Sequence, residues 1–340
     1  MIREKTFLTN TGKEYGSSMD TKRLEEEIAR SCGNMTALLV RKDGETRYER
    51  YFNGCGPEDA FHVFSVTKSV ISALMGIAAG RGLLGSLDRP VLDFFPEYVP
   101  KRGEKTIQTV TLRHLLTMTA PYKYRSAPYT KYFTSGDWVT SALDLLGGRS
   151  PAGAFRYAPL IGPDILSGVL ERAAGMRVLE FAERNLFSPL GFAPKQPVTF
   201  PDKAAQMAWY RQPRYDGQWI ADPRGVNTAG WGLTLTAEEM ARLGQLYLDG
   251  GVWNGAQLLP AEWIAESTRP HSRWAEQGLD YGYLWWVVDR DCFAAVGDGG
   301  NLIYVNRKKR LVAACASRFR PRVFDRIAFV REQVEPLFED

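Results

Sequence analysis

The stretch that most limits how this chain can fold is Phe61-His62-Val63-Phe64-Ser65-Val66-Thr67-Lys68-Ser69-Val70-Ile71-Ser72-Ala73-Leu74, where a lysine stands inside an almost unbroken apolar run. No Gly or Pro follows Lys68 until Gly76, so the segment reads as a turn into a helix whose first turn carries Ser65 and whose next carries Lys68. Phe61, Val63, Phe64, Val66, Val70, Ile71 and Leu74 would bury this turn, and a lysine enclosed there must find partners or lose its charge. Residues three apart share a helix face, so an uncharged Lys68 amine can take the proton that the Ser65 hydroxyl must lose to become a nucleophile. The free N–H groups and dipole at the helix start favour negative charge developing at the same place. Ser-x-x-Lys alone reads first as a helix cap followed by a solvated lysine; the apolar surroundings are what favour the catalytic reading.

With 340 residues, the chain has room for one large domain or two intimately joined ones. An apolar fraction of 44% and a charged fraction of 24% are those of an ordinary globular protein, and a formal charge of +4 points to no polyanionic partner. The one dense basic run, Arg307-Lys308-Lys309-Arg310, falls between two strand-like segments and reads as a solvated hairpin tip rather than a nucleic-acid patch. Met1 to Lys5 lacks an apolar signal region and no stretch approaches a membrane span, so the expectation is a cytoplasmic protein with no membrane partner. Cys32, Cys55, Cys292 and Cys315 form no Cys-x-x-Cys pair, and His62, His114 and His271 are dispersed, which argues against a disulfide scaffold, a metal site or another cofactor.

Residues 20 to 31 pattern as an amphipathic helix, and Met35 to Val40 and Thr46 to Phe52 as strands joined at Asp43-Gly44. From Leu83 to about Phe200 helical spacing prevails: Thr111 to Met118, Asp137 to Leu146, Gly162 to Ala174 and Leu179 to Leu186. The aromatic loop around Tyr122 is a candidate pocket lining, or packing for the helical region. A short hairpin is expected at Asp216-Gly217, Trp231 among three glycines is a candidate cleft wall or a packed indole, and Thr236 with Glu239 should cap a helix reaching Leu248. Tyr281 to Val288, Cys292 to Val296, Leu302 to Val305 and Leu311 to Ser317 read as consecutive antiparallel strands, followed by a last helix, Val323 to Phe338. Residues 1–82 and 201–340 should thus build an antiparallel sheet flanked by helices, and residues 83–200 a mainly helical insert, with the site in the cleft between them.

Several segments together resemble one family. Ser65-Val66-Thr67-Lys68 is followed by Thr111 to Thr119, by Phe155-Arg156-Tyr157 leading into Ile165 to Leu170, by Gly230-Trp231-Gly232-Leu233 with Glu239 to Leu248, and by Ala295 to Asn301. From Met35 to Ser317 this resembles the serine β-lactamase and penicillin-binding-protein-like hydrolases, in the class C-like branch with esterases, D-amino-acid peptidases and nylon-oligomer hydrolases. The resemblance implies an α/β sandwich of the β-lactamase/transpeptidase-like type. It implies an acyl-enzyme on Ser65, Lys68 and Tyr157 as acid and base, and an oxyanion hole from the N–H groups of Ser65 and Asn301. Asp298, Gly299 and Gly300 would then line the substrate site, and the substrate would be a small ester, amide or short peptide.

Two departures narrow that expectation. The family's Tyr-x-Asn is here Tyr157-Ala158-Pro159, without the side-chain amide, and its Lys-Thr-Gly or His-x-Gly is here Asp298-Gly299-Gly300. A carboxylate where the family has a cation should repel the carboxylate of β-lactams, so poor β-lactam hydrolysis is expected, with a neutral or positively charged substrate. The competing reading is a binding or sensing protein on the same fold, acylated slowly or not at all. The residues leave open the oligomeric state and whether Lys68 or Tyr157 is the principal base.

Overall fold

In the computed structural model, which describes residues 18–323 and 325–338, the centre is an eight-stranded sheet in which every neighbouring pair is antiparallel. Its strands are β1 (Met35–Lys42), β2 (Glu45–Tyr51), β3 (Ser272–Trp274), β4 (Leu279–Tyr281), β5 (Trp286–Val287), β6 (Cys292–Gly297), β7 (Asn301–Asn306) and β8 (Leu311–Ser317), ordered β2-β1-β8-β7-β6-β5-β4-β3. The two chain ends thus meet where β1 lies against β8. Period-two alternation explains why the central strands read as apolar throughout. Leu39, Ile303, Val305, Val312 and Ala314 face one core, while Leu38, Val40, Leu302, Tyr304 and Leu311 face a second.

The second core is closed by helix α1 (Ser18–Ser31), through Leu24 and Ile28, and by the C-terminal segment, through Phe329, Val330, Val334 and Phe338. The first is closed by α2 (Val66–Gly80) and by the later helix Ala237–Leu248, whose start carries the reciprocal Thr236–Glu239 cap expected from the sequence. Between Leu83 and Phe200 lie helices and one short strand, Gln196–Val198; the longest helix there is α3 (Ile161–Ala174), buried along Ile161, Ile165, Leu166, Val169 and Leu170. Among the described residues no helix is long and apolar enough to cross a membrane.

Some expectations fail locally. No hairpin forms at Asp216-Gly217: Lys203–Tyr210 is a helix, and Gln218–Ile220 pairs in parallel with Gln196–Val198. The run Tyr281 to Val288 is two strands, because the chain turns at Leu284, whose φ is 61°. The last helix begins at Arg326 rather than Val323, with Asp325 accepting from the N–H groups of Ile327 and Ala328. Phe324, within that expected helix, and the Met1 to Lys5 stretch lie outside the described residues.

Candidate active site

The turn before α2 is held from several sides. Phe61 and His62 pair with Leu235 and Thr234, and the Val63 N–H donates to the Leu233 carbonyl at 3.0 Å. His62 is buried, which pushes its pKa down to about 3. Its neutral ring accepts the Gly232 N–H at Nε2, 3.0 Å away. Phe64 adopts φ 48°, a costly conformation for a bulky residue, and its ring lies 3.9 Å from that of His62 and 5.3 Å from that of Phe319. This left-handed step directly precedes Ser65, which takes the cap position of α2.

Lys68, one turn on, is 1% exposed, and its Nζ donates to Ser65 Oγ at 2.7 Å and to the Gly230 carbonyl at 2.7 Å. Burial pulls its pKa down to about 7, against the opposing pull of the Asp298 and Asp164 carboxylates. Once the amine has lost its proton, the same contact with Ser65 reverses and the hydroxyl donates. From the other side, Tyr157 Oη donates to Ser65 Oγ at 3.4 Å. Burial raises the phenol pKa to about 12, so it stays protonated at neutral pH, although its bond to Ser65 opposes the rise. The Tyr157 ring stacks on Trp274 at 6.0 Å and lies 5.6 Å from Trp286.

Two crossings set this geometry. A Cβ on Gly230 would meet the Pro159 carbonyl at 2.4 Å, so only glycine lets the segment that accepts from Lys68 pass so close behind Tyr157. A Cβ on Gly297 would meet the Val63 carbonyl at 2.1 Å, which brings the end of β6 against the Ser65 turn. Behind Gly230 lies Asp164 of α3, 3% exposed, a residue the sequence reading passed over. It accepts from the Ala229 N–H at 2.7 Å, the Gly230 N–H at 3.3 Å and Tyr132 Oη at 2.7 Å. Burial raises its pKa to about 6, with those hydrogen bonds opposing. An acid on the apolar face of a helix was the available signal.

Ser65 opens into a cleft of about 730 Å³ lined by Tyr157, Trp274, Trp286, Phe319 and the turn Asp298-Gly299-Gly300, among others. Three residues expected at the site lie elsewhere. Tyr122 is buried against Tyr124 and Arg156, so its loop packs the helical region. Trp231 is 4% exposed inside a cluster with Phe133, Trp138 and Tyr210, and is a core indole. Asn301 is fully buried; its Nδ2 donates to the Asp298 carbonyl at 2.9 Å, and its Oδ1 accepts from the Ser317 N–H at 3.0 Å. Residues 298 to 300 form a short turn that joins β6 to β7, and Asn301 is the first residue of β7. Asp298, one step past Gly297, faces the cleft instead.

Comparison with known proteins covers almost the whole chain. The model of the Beta-lactamase family matches residues 32–334. The 6-aminohexanoate-dimer hydrolase of Paenarthrobacter ureafaciens is 23% identical over 306 residues, 83% of this chain and 72% of that protein. A family VIII carboxylesterase superposes with a TM-score of 0.71 at 18% identity, covering 96% of this chain and 99% of that one. A penicillin-binding protein homologue from Caulobacter crescentus gives 0.67 at 18%, covering 89% and 91%.

Proposed function

The chain belongs to the beta-lactamase family of serine hydrolases, and from that premise we propose that it cleaves a small ester or amide through an acyl-enzyme on Ser65. In the first half-reaction the neutral Lys68 amine takes the Ser65 proton as Oγ bonds to the carbonyl carbon. The resulting oxyanion accepts from the N–H of Ser65, at the helix start, and from the N–H of residue 298. Residue 298 replaces residue 301 in this role because Asn301 is buried behind the turn whereas Asp298 lines the cleft. When the carbonyl re-forms, Tyr157 gives its proton to the departing oxygen or nitrogen and regains one from Lys68. Water then repeats the addition on the acyl carbon, its proton passes back along the same groups, and Ser65 is released with the acid.

The single observation that carries this reading is the 2.7 Å contact between a buried amine of lowered proton affinity and the Ser65 hydroxyl. Similarity to a carboxylesterase and to a 6-aminohexanoate-dimer hydrolase supports the ester-or-amide substrate class. A fluorophosphonate probe is expected to label the wild type and not Ser65→Ala, and p-nitrophenyl acyl ester turnover to fall more than about a thousandfold in that variant. Equal labelling of both proteins removes Ser65 as the nucleophile. An acyl-enzyme that persists for hours by intact mass would instead make the protein a slow acyl binder.

A further inference from the structure

We propose that the natural substrate carries an alkylammonium group, seated between the Asp298 carboxylate and the Trp274 and Trp286 indoles; this rests on the hydrolase reading above. Asp298 is exposed to the cleft, and among the described residues no cation pairs with it. The cations lining this cleft are placed otherwise. Arg320 and Arg322 are exposed on the segment after β8, and Arg326 is buried, donating to Cys32 Sγ at 2.7 Å and Asn34 Oδ1 at 2.9 Å. Asp325, the other acid of the lining, is occupied in capping the final helix. Trp274 and Trp286 stack at 5.7 Å and 29°, and Trp274 stacks in turn on the Tyr157 ring at 6.0 Å and 8°. A carboxylate and two indoles lining one cleft supply the chemistry that holds an ammonium: an ion pair on one side and cation–π attraction on the other.

The cation does more than bind. A carboxylate close to the forming oxyanion opposes it, because like charges repel strongly in a partly desolvated cleft. A bound ammonium neutralises Asp298 at the moment the oxyanion forms, so it accelerates acylation as well as improving affinity. A neutral substrate leaves that repulsion in place, and an anionic one adds to it.

The test compares two p-nitrophenyl esters, that of γ-(trimethylammonio)butyric acid and that of its neutral isostere with carbon in place of nitrogen, each corrected for spontaneous hydrolysis. In the wild type the cationic ester is expected to have a kcat/KM about tenfold or more above the neutral one. In Asp298→Asn the ratio should collapse toward one, with the neutral ester turned over faster than by wild type. Raising the salt to about 1 M should compress the wild-type ratio in the same direction, a check that needs no variant. A wild-type ratio near one, or a ratio that Asp298→Asn leaves unaltered, overturns the ammonium seat, while labelling of Ser65 and turnover of the neutral ester would still uphold the hydrolase. No labelling and no turnover of either ester overturns both.

Discussion

A lysine with ordinary proton affinity is charged at neutral pH and can take nothing from a hydroxyl, so the acylation proposed at Ser65 depends on the surroundings of Lys68. Burial favours its neutral form, and two carboxylates, Asp298 first, partly restore the charge. The base is therefore competent only above its pKa, and kcat/KM for a neutral ester is expected to rise with pH through a midpoint at about 7. Asp298→Asn removes a carboxylate that favours the protonated amine, so the midpoint must move to lower pH. A pH profile of both proteins checks the sign; an unmoved or raised midpoint in the variant would separate Asp298 from Lys68. At this scale the sequence was legible in part. Ser65 and Lys68 stand out because spacing and apolar neighbours concern one helix. Asn301 takes the oxyanion role only through the family pattern, whereas the fold buries its side chain behind the turn and puts Asp298 in the lining of the cleft.

Between residue and molecule, α3 and the segment at Ala229 and Gly230 act as a unit. Asp164 holds two successive N–H groups of that segment, and the carbonyl of Gly230 then accepts from Lys68, so the carboxylate fixes the direction of the amine without touching substrate. In Asp164→Leu, no acceptor remains for Tyr132 or for the two N–H groups. Each buried group left unpaired costs about 1–3 kcal/mol, and a misdirected amine costs about a hundredfold in rate. The expected result is a kcat reduced about a hundredfold with KM little changed, together with an acid limb shifted to lower pH because a carboxylate behind Lys68 is gone. A merely structural role would lower melting temperature and the titratable fraction of active sites, leaving kcat per site and the limb where they were. Elements were legible where their signals are local. The Thr236–Glu239 cap and the Asp43-Gly44 hairpin needed only neighbouring residues. The pairing of Gln218–Ile220 with Gln196–Val198 is parallel and spans a helix, so a turn signal at Asp216-Gly217 misled.

Across the whole molecule, the features that make the fold recognisable are not those that select the substrate. The sheet is enclosed on both faces because its central strands are apolar on both sides, a pattern that any member of this architecture must keep and that one sequence displays. Asp298 lies on a three-residue turn between β6 and β7, where side chains bear little of the core packing, so its charge can change with the fold intact. A chain that belongs to the beta-lactamase family can therefore have a cleft hostile to β-lactams. The β-lactam carboxylate would approach the end of β6 and meet Asp298 where a cation is needed, and formation of the oxyanion would add a second repulsion. For wild type, kcat/KM on a chromogenic cephalosporin is expected to lie at least about a hundredfold below that on a simple p-nitrophenyl ester. Asp298→Lys should narrow the gap from both ends, by attracting the cephalosporin carboxylate and by repelling a cationic ester. Absorbance assays of the two substrates on both proteins decide the matter: comparable turnover by wild type would mean that the carboxylate of the substrate never approaches Asp298, and the charge logic of the cleft would have to be redrawn around Arg320 and Arg322.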